Sequence, residues 1–162
     1  MAKVVIAVGS NLGNRIKNLQ IAAGKLSSLS TGVIRKSSVY ETAPVGKADV
    51  PFLNAAALIE TNLNPPELIK ELKKQEETMG RDLNAPRWSN RLIDFDIIVY
   101  DDLIFKNGVL EIPHPEFTNR LFVLVPMADI DDQIVDPRTH LKVASLIQKA
   151  PEMDIFKTAL KW

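Results

Sequence analysis

Three observations predict that this chain folds as an α/β (α+β) protein, an antiparallel sheet with helices packed on one face. Apolar runs of strand length alternate with amphipathic runs of helix length. Gly, Pro and Asn punctuate the boundaries between them. The resulting order is strand–helix–strand–strand–helix–strand.

The elements follow in turn. "KVVIAVGSNLGNR" reads as a short apolar strand ending at Gly9, with Asn11 or Asn14 available to cap a helix. That helix runs through "RIKNLQIAAGKLSSL", where Ile16, Leu19, Ala22, Ala23 and Leu26 recur at helical spacing. "GVIRKSSVYET" is β-branched and bounded by turn residues, so a strand is expected. "APVGKADVP" is a loop. "FLNAAALIETNL" has helix-forming alanines, but Pro51 before it and "NLNPPE" after it limit it to a strand.

"NPPELIKELKKQEETMGR" carries the clearest helix signals. Asn64 can serve as N-cap, Pro65 and Pro66 fit the first turn, Glu67 falls at the capping-box position, and Gly80 ends the helix. "LIDFDIIVYDD" is a strand, and Asn107-Gly108 suggests a hairpin turn. Short helices are expected in "HPEFTNRLFVLVPMADI", and the segment beyond is helical or irregular. This order is the split βαβ, ferredoxin-like arrangement, with one sheet face left for loops and a ligand.

The length of 162 residues suggests one domain spanning 1–162, and 46% hydrophobic content can supply its core. Twenty Lys and Arg balance twenty Asp and Glu. That balance argues against nucleic acid or an anionic membrane as partner. The absence of cysteine excludes disulfides, thiolate metal sites and cysteine nucleophiles. The apolar stretch from Val4 to Val8 is too short for a signal-peptide core or a membrane span. A cytoplasmic monomer is the expectation.

The chemistry concentrates in "RWSNRLIDFDIIVYDD", residues 87–102. Strand alternation puts Ile93, Phe95, Ile97 and Val99 on a core face, and Leu92, Asp94, Asp96, Ile98 and Tyr100 on the other. Two carboxylates about 6.5–7 Å apart along a half-dry surface repel each other unless a cation lies between them. Mg²⁺ suits such a pair, since it takes one or two carboxylates plus substrate phosphates. An isolated D-x-D in a strand more often marks two solvent-facing residues. Here Arg81, Arg87, Trp88, Arg91 and Glu76 stand close in sequence, and arginines clamp phosphate oxygens in bidentate fashion. Charge neutralisation and positioning are what phosphoryl transfer needs. The G-x-x-x-x-G-K-[ST] and G-x-G-x-x-G signatures are absent, and "GSNLGNR" lacks the phosphate-binding lysine.

At these residues the chain resembles the 6-hydroxymethyl-7,8-dihydropterin pyrophosphokinase family of folate biosynthesis. The resemblance runs end to end through "GSNLGNR", "SSVYETAPVG", "PFLNAAALIET", "EETMGR", "RWSNRLIDFDII" and "IPHPEFTNRLFVLVPMADI". It implies transfer of pyrophosphate from ATP to the pterin hydroxymethyl group with release of AMP, and two Mg²⁺ ions on Asp94 and Asp96. It further implies that Arg81 and Arg91 contact the triphosphate and assist transfer. Glu76, Trp88, Ile97, His114 and Arg120 are the remaining ATP contacts it implies. For the pterin it implies Thr42, Ala43, Pro44 and Val45 through backbone groups, Asn54 through its amide, and Phe52 and Phe122 as a sandwich. A flat ring with amide-like edges suits that set. Taken singly, Phe52 and Phe122 read as core residues, Asn54 as a buried amide and His114 as a turn residue. Their joint placement is what points to a site.

The chain departs from the family pattern at Ser89-Asn90, often Gly-Pro, and at Leu83, where some members carry a second arginine. That leaves one phosphate contact open. Two other readings compete: a different D-x-D metal-dependent nucleotidyltransferase, and a non-catalytic ferredoxin-like module for nucleotide or RNA. An RNA binder would show aromatics on its central strands and a basic face.

Overall fold

The computed structural model describes residues 1–43, 49–80 and 92–162. In chain order these form β1 (Ala2–Ser10), α1 (Arg15–Leu29), β2 (Arg35–Lys36), β3 (Tyr40–Thr42), β4 (Phe52–Thr61), α2 (Pro65–Thr78) and β5 (Asp94–Tyr100). A hairpin of β6 (Phe105–Lys106) and β7 (Glu111–Ile112) follows. Then come a 3₁₀ turn (Phe117–Asn119), α3 (Leu121–Asp131), α4 (Val143–Lys149) and β8 (Ile155–Lys157).

The capping chemistry sets the helix starts. Asn14 accepts the Lys17 N–H at 3.2 Å and begins α1. Asn64 and Glu67 exchange reciprocal 2.9 Å bonds at the start of α2. Gly80, at a φ of 94° that glycine tolerates best, follows the end of α2.

The main sheet runs β5-β1-β4-β3-β8, with β2 also on β4, and every pairing is antiparallel. β1 and β4 are its centre and β5 is an edge, as the split βαβ arrangement requires. Leu19 and Leu26 of α1, and Leu68 and Leu72 of α2, pack on one face against Val4, Ile6, Val8, Phe95 and Ile97.

The expectation of helices on one face alone is corrected. On the opposite face Val5, Ala56, Ile98 and Val99 are buried under Val123, Leu124, Met127 and Ile130 of α3 and Val143 and Leu146 of α4. The reason is legible afterwards. Ala55, Ala56 and Ala57 are all buried, so mid-β4 is apolar on both sides, and "LFVLVPMADI" is apolar almost all round.

Strand alternation in β5 also needs correction at its far end. Val5 pairs with Val99 and Ile6 with Ile97, so Ile98 is an inserted residue. This bulge puts Ile98 and Val99 together in the α3 layer. It turns Tyr100 to the α2 side, where its hydroxyl donates to the Leu63 carbonyl at 2.7 Å.

Three smaller expectations change. "GVIRKSSVYET" is broken into β2 and β3 because the Ser37 side chain, not a backbone carbonyl, accepts the Ala56 N–H. The Asn107 side chain accepts from Val109 and Leu110, making a four-residue loop of 107–110 rather than a two-residue turn. β8, only three residues long, adds to β3 although the sequence shows no periodicity there.

The edge strand is fastened to α2 by Glu76. This carboxylate is wholly buried, and its Oε1 accepts the Phe95 N–H at 2.8 Å. Phe95 lies between the two aspartates, so the bond sets the strand where they project. Removing the acceptor in Glu76→Ala is expected to cost about 1–3 kcal/mol in urea unfolding, from one unsatisfied buried donor. Glu76→Gln keeps an acceptor oxygen and should lose less. Equal losses would show that the Phe95 bond is not what Glu76 contributes.

Candidate active site

The site is built from two rungs across the sheet. In the first, Gly9 of β1 pairs with Asn54 of β4 and Asp94 of β5. In the second, Ala7 pairs with Ala56 and Asp96. Period-two alternation turns all six toward the α3 layer. That layer does not reach the ends of these strands, and a cleft remains. It is lined by Ala7 and Gly9 at its base, Asp94 and Asp96 along β5, Thr42, Phe52 and Asn54 along β3 and β4, and Arg120, Phe122 and Val123 from α3 and its start.

Small residues make that base. A Cβ added to Gly9 would come within 3.2 Å of Asn54 Oδ1 and 3.6 Å of Phe52 Cδ1, filling the space where a flat ligand could lie. The Asn54 Nδ2 donates to the Thr42 hydroxyl at 2.7 Å within the interior. That bond orients the amide and leaves Oδ1 above Gly9 as an acceptor. Phe52 and Phe122, both half-buried, line the same cleft from β4 and α3.

Asp96 is the electrostatic extreme of the site. Burial, and then the charge of Asp94, push its carboxyl up to about 7, against a partial opposing pull from Lys73 and Arg120. Two carboxylates on one face with a protein interior behind them favour a cation. Among the described residues no group of three or more His, Cys, Asp or Glu converges as a metal site. A pair of hard oxygen donors fits Mg²⁺, which keeps its remaining positions for phosphates and water.

Arg120 brings a guanidinium to the cleft. Arg120 precedes α3, with its guanidinium 5.7 Å from the Phe122 ring centre and 3.8 Å from Glu116. His114 is tied to the outer edge of β5 by its N–H, which donates to Ile98 O at 2.8 Å. Burial, and then Arg120, pull its imidazole down to about 4, so it is neutral at pH 7. Its Nδ1 accepts the Glu116 N–H at 3.1 Å, which leaves the proton on Nε2 as a neutral donor.

Apart from His114, which is tied to β5, the expected site residues separate into four groups. Asp94, Asp96, Arg120, Thr42, Phe52, Asn54 and Phe122 share one cleft. Ala43 is exposed beside it, at the end of β3. The side chains of Glu76 and Ile97, expected as ATP contacts, lie in the core on the α1–α2 side of the sheet. Strand alternation places Ile97 there, one residue beyond the cleft-facing Asp96. Pro44, Val45, Arg81, Trp88 and Arg91, and the departures at Leu83, Ser89 and Asn90, fall outside the described residues. Ala7 and Gly9 were missed. Their signal was present as two small residues at i and i+2 near a strand end, a mark of close approach.

A small α+β domain whose exposed sheet end joins an aromatic slot to a carboxylate pair is the class that fold and cleft define. A family model described as 7,8-dihydro-6-hydroxymethylpterin-pyrophosphokinase (HPPK) matches residues 5–132. The chain belongs to this family. It is 36% identical to the 2-amino-4-hydroxy-6-hydroxymethyldihydropteridine pyrophosphokinase of Haemophilus influenzae, over 97% of this chain and 98% of that protein. It is 40% identical to the folic acid synthesis protein of Pneumocystis carinii, over 94% of this chain but only 20% of that protein. A crystal structure of Plasmodium falciparum HPPK-DHPS shares the fold with a TM-score of 0.71 at 17% identity, over 91% of this chain and 42% of that one. Among the described residues no helix is long and apolar enough to cross a membrane.

The raised Asp96 carboxyl has a consequence for stability without metal. Between its ordinary 3.8 and about 7 the folded state holds a proton that the unfolded chain has released. Stability should therefore fall as pH rises through that window and level off above it. The wild-type minus Asp96→Asn difference in unfolding free energy, measured in chelator from pH 4 to 8, isolates the effect. A difference that does not change with pH would refute it.

Proposed function

We propose that this chain transfers the β,γ-pyrophosphoryl group of ATP to the 6-hydroxymethyl group of 6-hydroxymethyl-7,8-dihydropterin. The hydroxyl oxygen bonds to the β-phosphorus, the bond from that phosphorus to the α,β-bridging oxygen breaks, AMP leaves, and the hydroxyl proton is lost. The observation that carries this reading is the family membership together with a carboxylate pair opening into an aromatic cleft.

In this reading Phe52 and Phe122 hold the pterin ring between them, and the Asn54 amide, oriented by Thr42, meets its polar edge. The backbone from Thr42 to Val45 completes that edge. Asp94 and Asp96 hold two Mg²⁺ ions, which when bound neutralise the phosphate oxygens and favour loss of the hydroxyl proton. Arg120 and the Nε2 proton of His114 face the phosphates. Arg81 and Arg91 clamp the triphosphate, and Trp88 joins the nucleotide contacts. Catalysis is then mainly positioning and charge, as a loose phosphoryl-transfer transition state requires.

Neutral substitution of either acid is expected to lower turnover roughly a thousandfold or more while the fold persists. AMP release from ATP, dependent on both the pterin and Mg²⁺, is the assay. Pyrophosphate in place of AMP would identify a nucleotidyltransferase instead, and no product at any substrate level would end the reading. Full activity in Asp94→Asn and Asp96→Asn would make the pair structural. Phe122→Ala should weaken pterin binding about tenfold and leave ATP binding unchanged, by calorimetric titration. An equal loss for both ligands would remove Phe122 from the pterin slot.

A further inference from the structure

Apart from Gly9 at the cleft base, the turn "GSNLGNR" has no role in the chemistry above, yet it is tightly built. It leads from β1 into α1 and is held from within by Asn18, which donates to the Leu12 carbonyl at 2.9 Å and to Ser10 Oγ at 3.2 Å. Gly13 sits at a φ of 69°, and any Cβ there would meet Leu92 at 3.3 Å.

From this turn two side chains reach to the connection between β3 and β4. Arg15 Nη1 donates to Glu41 Oε2 at 2.8 Å and to the Pro51 carbonyl at 2.9 Å. Asn11, fully buried, donates from Nδ2 to the Val50 carbonyl at 3.0 Å. Glu41 lies on the entry side of the connection, and Val50 and Pro51 on the exit side. One guanidinium therefore holds both ends together.

The residues next to these anchors line the cleft. Thr42 follows Glu41, Phe52 follows Pro51, and the two are register partners across β3 and β4. We propose that "GSNLGNR" is a clamp for the pterin slot. Arg15 and Asn11 act as positioning residues that fix the separation of Thr42 and Phe52, and through the Thr42 hydroxyl the orientation of Asn54. The proposal rests on the pterin occupying that slot.

A merely structural role would look different. The Arg15–Glu41 pair is partly exposed, with 28% and 40% of the two side chains accessible, and such pairs add little to global stability. Losing it should loosen the slot without unfolding the chain. The cost then appears in pterin affinity, because the slot must be ordered as the ligand binds.

The test measures hydroxymethylpterin binding in the presence of Mg²⁺ and a non-hydrolysable ATP analogue, with ATP-analogue affinity and Tm measured separately. Arg15→Ala is expected to weaken the pterin roughly tenfold. Analogue affinity, Tm and turnover at saturating pterin should stay near wild-type values. Arg15→Lys should recover part of the loss, and Glu41→Gln, whose amide oxygen still accepts, should lose less than Arg15→Ala. Phe122→Ala is the control for the slot. If it weakens pterin while Arg15→Ala does not, the clamp is wrong and the slot stands. If Phe122→Ala has no effect, the slot reading falls and the clamp with it. Parallel loss of pterin and ATP-analogue affinity in Arg15→Ala, Arg15→Lys and Glu41→Gln would mean general loosening and would also overturn the proposal.

Discussion

A strand turns alternate side chains to opposite faces, and in β5 that rule separates Phe95 and Ile97 from Asp94 and Asp96. The apolar pair is locked into the α1–α2 core, so the acids have no freedom to follow it. Their backbone is also tied from outside, because Glu76 accepts the N–H of the residue between them. Asp96 is thereby held beside Asp94 in a place where burial limits the hydration of its charge. The repulsion is a standing cost of the fold, and a bound cation would relieve it.

The opposite layer decides how much of that face stays open. Without α3 and α4 the acids would lie on a solvated sheet, with the screening of any surface carboxylate. With them, the α3 side of the central strands is dry, and among the described residues the strand ends near Gly9 and Asn54 are left uncovered. The same helix that closes the face contributes Phe122, Val123 and the adjoining Arg120 to the cleft. Apolar slot and charged mouth are thus consequences of one packing arrangement. Tyr40 helps to seat that helix, since its hydroxyl donates to Asp129 of α3 at 2.6 Å. Burial and this bond push the phenol well above its ordinary range.

Much of the site was legible because its residues sit where local rules are strong. The acids stood out as carboxylates inside an apolar strand, and the pairing of Phe52 with Asn54 followed from their i, i+2 spacing. The burial of Glu76 was not legible, for a physical reason. A glutamate one turn before a helix end and near arginines reads as a ligand contact, whereas its burial depends on the edge strand packed against it. Ile97 follows the same logic, since alternation alone puts it with Phe95. Ala7 and Gly9 were silent because small residues announce space only once something is known to lie above them.

The sequence by itself determined the helix start at Asn64, narrowed the first helix start to Asn11 or Asn14, and determined a strand within 92–102, the split βαβ order and the sharing of one face by Asp94 and Asp96. Each depends on interactions a few residues apart, capping bonds or strand alternation, which sequence spacing encodes directly. Only the tertiary structure decided that helices cover both faces, that a bulge at Ile98 reverses Val99 and Tyr100, and that β8 joins the sheet. It also decided that Arg15 and Asn11 reach across to Glu41, Val50 and Pro51. Those outcomes come from contacts between segments 26 to more than 100 residues apart. Such contacts reflect which surfaces remain unburied after the local elements have formed, and no local pattern carries that information.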